Sequence, residues 1–196
     1  WLVGTRPVKP APDAPGRIFL FSASGEKLWE AEIPAFWKRM GVPVTAKLVY
    51  PDGKDRPPLI AVGAESWHVF FFTLDGKLKR RTEVAHGIVS MAVGDLTGDG
   101  RDEVFPGIEY YYHLVINSDG SKTKDYVASP YGLASLITDL GAGNRAYAVR
   151  SDGFLYCHDG VNAKQFEANF GGPAYDLVRW KDTVAGVTVN GLFTTV

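Results

Sequence analysis

The chain has 196 residues with 21 Lys+Arg against 22 Asp+Glu, a formal net charge of −1, 45% hydrophobic and 22% charged residues. That balance suits a core-forming globular domain and lacks the basic excess of a nucleic-acid-binding surface, so no nucleic-acid partner is expected. No run approaches the roughly 18 apolar residues of a membrane-spanning helix, and the lone Cys157 excludes an intrachain disulfide or a cysteine-rich metal knuckle.

In chain order, the sequence opens on Trp1 without an initiator Met and closes in an apolar run at 191–196. This pattern is expected of a segment of a longer protein. Four prolines, Pro7, Pro10, Pro12 and Pro15, mark a long loop between two strands. Arg17-Ile18-Phe19-Leu20-Phe21 reads as a strand ending in the turn Ser24-Gly25. Ala35-Phe36-Trp37-Lys38-Arg39-Met40 is the one helix-like stretch, a turn or two at most. Beyond it, β-branched and aromatic segments at about 44–50, 59–64, 68–73 and 77–84 are separated by Gly, Asp and Pro and read as four short strands.

The same unit then repeats. The turn glycines Gly25, Gly76, Gly120 and Gly160 are 51, 44 and 40 residues apart, a mean of 45. Gly87-Ile88-Val89-Ser90 and Gly132-Leu133-Ala134-Ser135 form a second ladder at an offset of 45. Four antiparallel strands recurring every 40–50 residues predict an all-β fold, a β-propeller of four-stranded antiparallel blades. The blades fall at about 1–33, 44–84, 88–128, 133–169 and 174–196, beginning at a second strand and ending at a third. An arc of a larger ring is expected, its remaining blades lying elsewhere in a longer chain; a closed five-bladed ring is the alternative.

Two stretches resemble known propeller repeats. Gly16 to Trp29, with its strand, its small-residue–Gly turn and its Gly-x-x-x-Trp ending, resembles the repeat of pyrroloquinoline-quinone-type quinoproteins, whose Trp docks between neighbouring blades; later repeats carry Arg80, Tyr126 and Phe166 near that place. Asp95-Leu96-Thr97-Gly98-Asp99-Gly100-Arg101-Asp102-Glu103-Val104 resembles the calcium loop of FG-GAP (VCBS-type) repeats. Calcium takes six to eight hard oxygens that alternate positions of a tight turn can direct at one point. The resemblance implies side-chain oxygens from Asp95, Thr97 and Asp99, a backbone carbonyl from Arg101 and a carboxylate from Glu103, with Ca2+ in a structural role. An EF-hand is excluded, because its bidentate Glu at position twelve would fall on Pro106. A plain Asp-Gly turn is the metal-free alternative. The aligned loops are degenerate: Asp139-Leu140-Gly141-Ala142-Gly143-Asn144 keeps only the first Asp, and Pro51-Asp52-Gly53-Lys54-Asp55-Arg56 places a lysine among the ligand positions.

In a propeller, the loops joining strands two to three and four to one share one face. Gly63-Ala64-Glu65-Ser66-Trp67-His68 and Gly107-Ile108-Glu109-Tyr110-Tyr111-Tyr112-His113 both carry Gly-x-Glu, then aromatics, then His; His86, Tyr131 and the Phe36-Trp37 pair belong to the same expected face. Glu65, Trp67, Glu109, Tyr110, Tyr112 and Tyr131 are therefore candidate ligand-binding residues, rings stacking on sugars or burying against a protein. His68, His86, His113 and Tyr111 are the candidates for acid–base work in β-elimination from a uronic-acid polysaccharide. Against catalysis, His68 and His113 open third strands and can point between blades instead. Cys157 beside His158 makes no thiolate–imidazole pair, because adjacent strand residues face opposite ways. The leading expectation is an extracytoplasmic (secreted, periplasmic or cell-surface), calcium-stabilised propeller module that binds a carbohydrate or a protein. A propeller polysaccharide lyase, or a quinoprotein oxidoreductase, is the alternative.

Overall fold

The computed structural model describes residues 1–7, 11–109, 112–126, 132–159, 164–191 and 193–195. Its strands form five antiparallel sheets that follow one another along the chain. The first holds β1 (Leu2–Thr5), β2 (Gly16–Phe21) and β3 (Lys27–Ile33). The second holds β4 (Pro43–Val49), β5 (Leu59–Ala64), β6 (His68–Phe72) and β7 (Leu78–Glu83). The third holds β8 (Ile88–Gly94), β9 (Glu103–Ile108), β10 (Tyr112–Ile116) and β11 (Lys122–Tyr126). The fourth holds β12 (Gly132–Asp139), β13 (Asn144–Arg150), β14 (Phe154–His158) and β15 (Lys164–Asn169). The fifth holds β16 (Val178–Trp180), β17 (Thr183–Val187) and β18 (Phe193–Thr195). Each sheet is a simple up-and-down meander, and the expected all-β fold of four-stranded blades is what the chain adopts.

Gly160 lies outside the described residues, and the other three turn glycines act by one mechanism. At 22–26, 73–77 and 117–121 the first residue's N–H donates to the fifth residue's carbonyl, and the glycine N–H donates back to the first residue's carbonyl. Gly25, Gly76 and Gly120 take φ of 85°, 85° and 91°, closing a three-residue hairpin loop that a side chain would strain. The strands opening the second, third and fourth sheets share a second device, a register break at their second residue, between Pro43 and Thr45, Ile88 and Ser90, and Gly132 and Ala134.

Alternate strand residues pack forward and backward against neighbouring sheets. Ile60, Val62, Phe70 and Phe72 join Ile18 and Ile33 of the first sheet, while Ala61, Val69 and Phe71 join Met91, Val104 and Leu114 of the third. Phe105 and Val115 meet Ala146 and Ala148, and Tyr147, Val149 and Leu155 meet Phe170, Leu177 and Val184. Both faces of the middle sheets are thereby buried, which is why β5, β6 and β9 carry mostly apolar residues on both faces instead of alternating with polar ones.

The helix-like stretch 35–40 is not helical. Phe36 and Arg39 exchange backbone hydrogen bonds of 3.1 and 2.8 Å, and Trp37 and Lys38 between them take φ of 54° and 58°. Positive φ at both central residues is the signature of a tight mirror-image turn, not of a helix.

Candidate functional site

Five connections converge on one face of the arc. The β1–β2 connection brings Arg6, the crossover from β3 to β4 brings the 36–39 turn, and the β5–β6 turn brings Glu65 and Trp67. The crossover from β7 to β8 brings His86, and Glu109 follows β9. Arg39 ties these together. Its guanidinium lies 5.5 Å from the Trp67 ring centroid and 4.0 Å from Glu109 Oε2. Glu109 Oε2 accepts the Gly87 N–H at 3.3 Å, and the His86 ring sits 5.5 Å from that of Trp67. Arg6 pairs with Glu65, and a groove of about 320 Å3 runs past Pro12, Arg39, Met40 and Glu65. Burial pulls the His86 pKa down, Glu109 pushes it back up, and Arg39 adds to the lowering.

The backbone of this face is strained. Among the described residues, five non-glycine residues have positive φ, and four of them stand here: Trp37 (54°), Lys38 (58°), Trp67 (64°) and Ala85 (64°). Such conformations cost about 1–3 kcal/mol each and persist where surrounding structure over-determines them. The half-buried Trp67 adds an indole N–H that is shielded from solvent and meets no acceptor among the described residues. Trp37, by contrast, stands 66% exposed at the tip of its turn.

Of the three candidate histidines, His86 stands on this face and His68 and His113 do not. His68 is buried; its Nδ1–H donates to the Ser66 carbonyl at 2.7 Å, and its ring packs 4.3 Å from Phe36 and 5.7 Å from Phe70. His113 lies between the third and fourth sheets, stacked 4.0 Å from His158 and 5.7 Å from Phe105. Cys157 points the other way from His158, into the core against the fifth sheet, and burial raises its thiol pKa. Tyr112 opens β10 opposite Tyr126. Tyr110, Tyr111 and Tyr131 lie outside the described residues.

The acidic loop is on the opposite side, between β8 and β9. Asp95 Oδ1 accepts the N–H groups of Gly98 and Asp99 at 2.8 and 3.0 Å, and its Oδ2 accepts that of Gly100 at 2.9 Å. Asp99 Oδ1 accepts the Arg101 N–H at 2.9 Å. Glu103, 1% exposed, reaches under the loop, where its Oε2 accepts from Leu96 and Thr97 at 2.9 and 3.2 Å. Burial pushes the Glu103 carboxyl pKa up, those two amides oppose the rise, and the negative charges of Asp99 and Asp95 reinforce it. Three carboxylates, the Thr97 hydroxyl and the Arg101 carbonyl are a donor set of the hard-oxygen type that calcium takes. Their arrangement serves the loop's own amides, however: among the described residues no three His, Cys, Asp or Glu side chains stand together as a metal-holding group.

Sequence patterns did not signal Asp102. It is 3% exposed, accepts the Tyr50 N–H at 3.0 Å and pairs with Lys54 at 3.0 Å. Lys54 is the residue that stands among the ligand positions of the aligned loop, and here it crosses to the next sheet. The Trp expected to dock between blades does so: Trp29 Nε1–H donates to the Leu74 carbonyl at 2.8 Å, with its ring against Gly76.

No known family profile matches the chain, and no curated protein matches it. Solved structures do. BBS1N, in its complex with ARL6DN, superposes with a TM-score of 0.66 at 18% identity, over 92% of this chain and 60% of its own. Sqt1 of Saccharomyces cerevisiae gives 0.75 at 10% identity, over 94% and 53%. BamB of Moraxella catarrhalis gives 0.69 at 13%, over 92% and 54%. The chain thus spans between 53% and 60% of the length of these structures. No helix among the described residues is long and apolar enough to cross a membrane. With five consecutive antiparallel sheets and these likenesses, the fold is that of a β-propeller, of which the chain forms an arc.

Proposed function

We propose that this propeller arc is a protein-interaction module whose binding face carries Arg39, Trp67, His86 and Glu109. One observation carries the proposal: four of the five positive-φ non-glycine residues among the described ones collect on that face, around an Arg–Trp–His–Glu cluster. Strain held at one surface calls for a functional reason. Arg and Trp are also the residues that dominate the energetics of protein interfaces. The Trp67 ring already has His86 and Arg39 as close neighbours, which disfavours it as a bare platform for a sugar. The histidines that β-elimination would need together are dispersed, two of them between sheets, which disfavours the lyase alternative.

The proposal includes calcium at the loop of Asp95, Asp99 and Glu103. Its support is the charge the loop concentrates: a buried glutamate whose pKa rises through burial and through two neighbouring aspartates gains from a nearby cation. Loops of this modest kind fill at the free calcium found outside the cytoplasm, so an extracytoplasmic location goes with calcium and falls with it.

Affinity capture with the wild-type chain and with Arg39→Ala and Trp67→Ala tests the binding face. Proteins retained by the wild type and lost by both variants, at unchanged melting temperature, are the expected result. Equal retention by all three overturns the face. Retention of a glycan from an array, with no retained protein, transfers the function to carbohydrate.

A further inference from the structure

We propose that the groove between the 51–57 and 95–101 loops binds an acidic segment of a partner protein, whose carboxylates are taken by Arg56 and Arg101.

The groove lies in the interior of the arc. It measures about 480 Å3 and is lined by Asp52, Arg56 and Pro57 from the β4–β5 connection and by Arg101 from the β8–β9 connection. Its walls belong to the second and third sheets, each of which packs against a neighbour on both sides. The arginines reach the same end of their sheets by the same count. Arg56, Arg101 and Arg145 follow Thr45, Ser90 and Ala134, the residues after the register breaks, by eleven places each. Arg145 turns back on its own strand and donates to the Asn144 carbonyl at 2.9 Å. Arg56 and Arg101 do not: both are exposed, and neither guanidinium has an ion pair or a hydrogen bond among the described residues.

The two loops form one fixed frame. The Asp102 N–H donates to the Tyr50 carbonyl at 3.0 Å, the Tyr50 N–H donates to Asp102 Oδ2 at 3.0 Å, and Lys54 closes on the same carboxylate. Within the loops, the Arg56 N–H donates to the Gly53 carbonyl at 3.1 Å and the Arg101 N–H to Asp99 Oδ1 at 2.9 Å. The Gly100 carbonyl stands 3.7 Å from where a Cβ on Gly53 would lie, so the loops touch. Both guanidiniums are therefore mounted on backbone that needs no ordering when a ligand arrives, which favours affinity.

The charges around the groove select the ligand. Asp95 accepts three backbone N–H groups, Asp99 one and Glu103 two, and Asp102 holds Lys54. The charge of Asp52 acts on Arg80 of β7. Two guanidiniums are thus left facing a concave surface without an anion, and each is a planar fork that fits a carboxylate or a phosphate with two parallel hydrogen bonds. The volume exceeds the needs of one small oxyanion and suits a few residues of extended peptide, with Pro57 as an apolar wall. Asp52, Asp55 and Asp99 stand exposed on the same loops and repel the unbroken phosphate row of a nucleic acid. A peptide with carboxylates at alternate positions avoids that repulsion, because its two charges can meet the two arginines alone. This site is on the opposite side of the arc from the Arg39–Trp67 face.

Titration of a capped Ala-Glu-Ala-Glu-Ala peptide into the whole chain, followed through the arginine side-chain N–H resonances with a chelator present throughout, tests the groove. Saturable shifts at both Arg56 and Arg101 are expected, and none with Ala-Gln-Ala-Gln-Ala. Arg56→Gln and Arg101→Gln should each weaken binding, and the double variant by about tenfold or more, at unchanged melting temperature because both side chains are exposed. Added salt should weaken the wild type in the same direction. Absence of a saturable shift, equal binding of the glutamine peptide, or full binding by either single variant overturns the site. Shifts with inorganic phosphate and none with the peptide make the groove a free-oxyanion site and overturn the protein partner. A single-stranded RNA that binds where the peptide does not overturns it as well.

Discussion

Trp29 and Arg80 do the same work in successive sheets. Trp29 Nε1–H donates to the Leu74 carbonyl and its ring lies over Gly76; Arg80 Nη1–H donates to the Ser118 carbonyl at 3.0 Å and lies over Gly120. Leu74 and Ser118 hold the same place in their turns, two residues before the glycine, so each side chain latches its own outer hairpin to the next one. An indole and a guanidinium are both flat and both carry N–H donors, which lets one replace the other over a glycine that offers no Cβ. Trp29→Ala should cost about 2–3 kcal/mol, from lost packing and a lost hydrogen bond. For a domain of this size that lowers the melting temperature by roughly 5–10 °C. Trp29→Arg should recover part of the loss in the same calorimetric scan, and failure of any recovery would sink the equivalence.

Glu103 makes the loop's charge measurable. Its folded pKa is raised, so the folded state holds its proton more tightly than the unfolded state does. Its contribution to stability is therefore most favourable at low pH and declines as pH rises through the folded value. Glu103→Gln keeps an oxygen for the Leu96 and Thr97 amides and removes the charge. The variant should melt at least as high as wild type at pH 7 with chelator present, and should lose the rise in melting temperature that calcium gives the wild type. A wild-type melt indifferent to calcium would remove the ion, and with it the extracytoplasmic location.

His68 should titrate below the ordinary histidine value of about 6.5. Burial between Phe36 and Phe70 is the leading cause, partly opposed by the Ser66 carbonyl that holds Nδ1–H. A depressed histidine contributes stability that is present above its unfolded pKa and is lost as pH falls towards the folded one. Unfolding free energy should therefore decrease between neutral pH and about pH 5, with His86 adding in the same direction. His68→Asn can still donate to Ser66 and cannot titrate, so its stability should depend on pH less steeply. An imidazole resonance with a midpoint above 6.5 would contradict the buried placement.

What the sequence revealed followed how local each cause is. Gly25, Gly76 and Gly120 were legible because one loop type demands positive φ at one fixed place, and the docking of Trp29 because its repeat ending marks it. The 36–39 turn was not legible: Trp37 and Lys38 have no propensity for positive φ, and the packing of Phe36 on His68 and Phe70 overrides what their sequence favours. The stack of His113 on His158 joins residues in different sheets, and no short-range pattern signals such a pair. The glycine–glutamate–aromatic–histidine pattern therefore carries Trp67 and Glu109, which the fold brings to either side of Arg39, while the histidines ending the same motif, His68 and His113, turn inwards.

Asp102 and Lys54 provide the sharpest test of how neighbouring sheets are joined. The carboxylate is 3% exposed and accepts both the Tyr50 N–H and the Lys54 ammonium, and the Asp102 N–H donates back to the Tyr50 carbonyl at 3.0 Å. The lysine is mostly in solvent, 64% exposed, and rests 4.1 Å over the Tyr50 ring. Its pairing is therefore screened, and Lys54→Met should cost about 1 kcal/mol or less and weaken further in salt. Asp102→Ala is different in kind, because it strips a buried amide of its acceptor; a loss of about 2–4 kcal/mol is expected. The double variant should lie close to Asp102→Ala alone, since the lysine acts only through the aspartate. Chemical denaturation of the four proteins closes the cycle. Full additivity of the two losses would mean that Lys54 stabilises the 51–56 loop through Tyr50 instead, and that Asp102 needs only the backbone to join the two sheets.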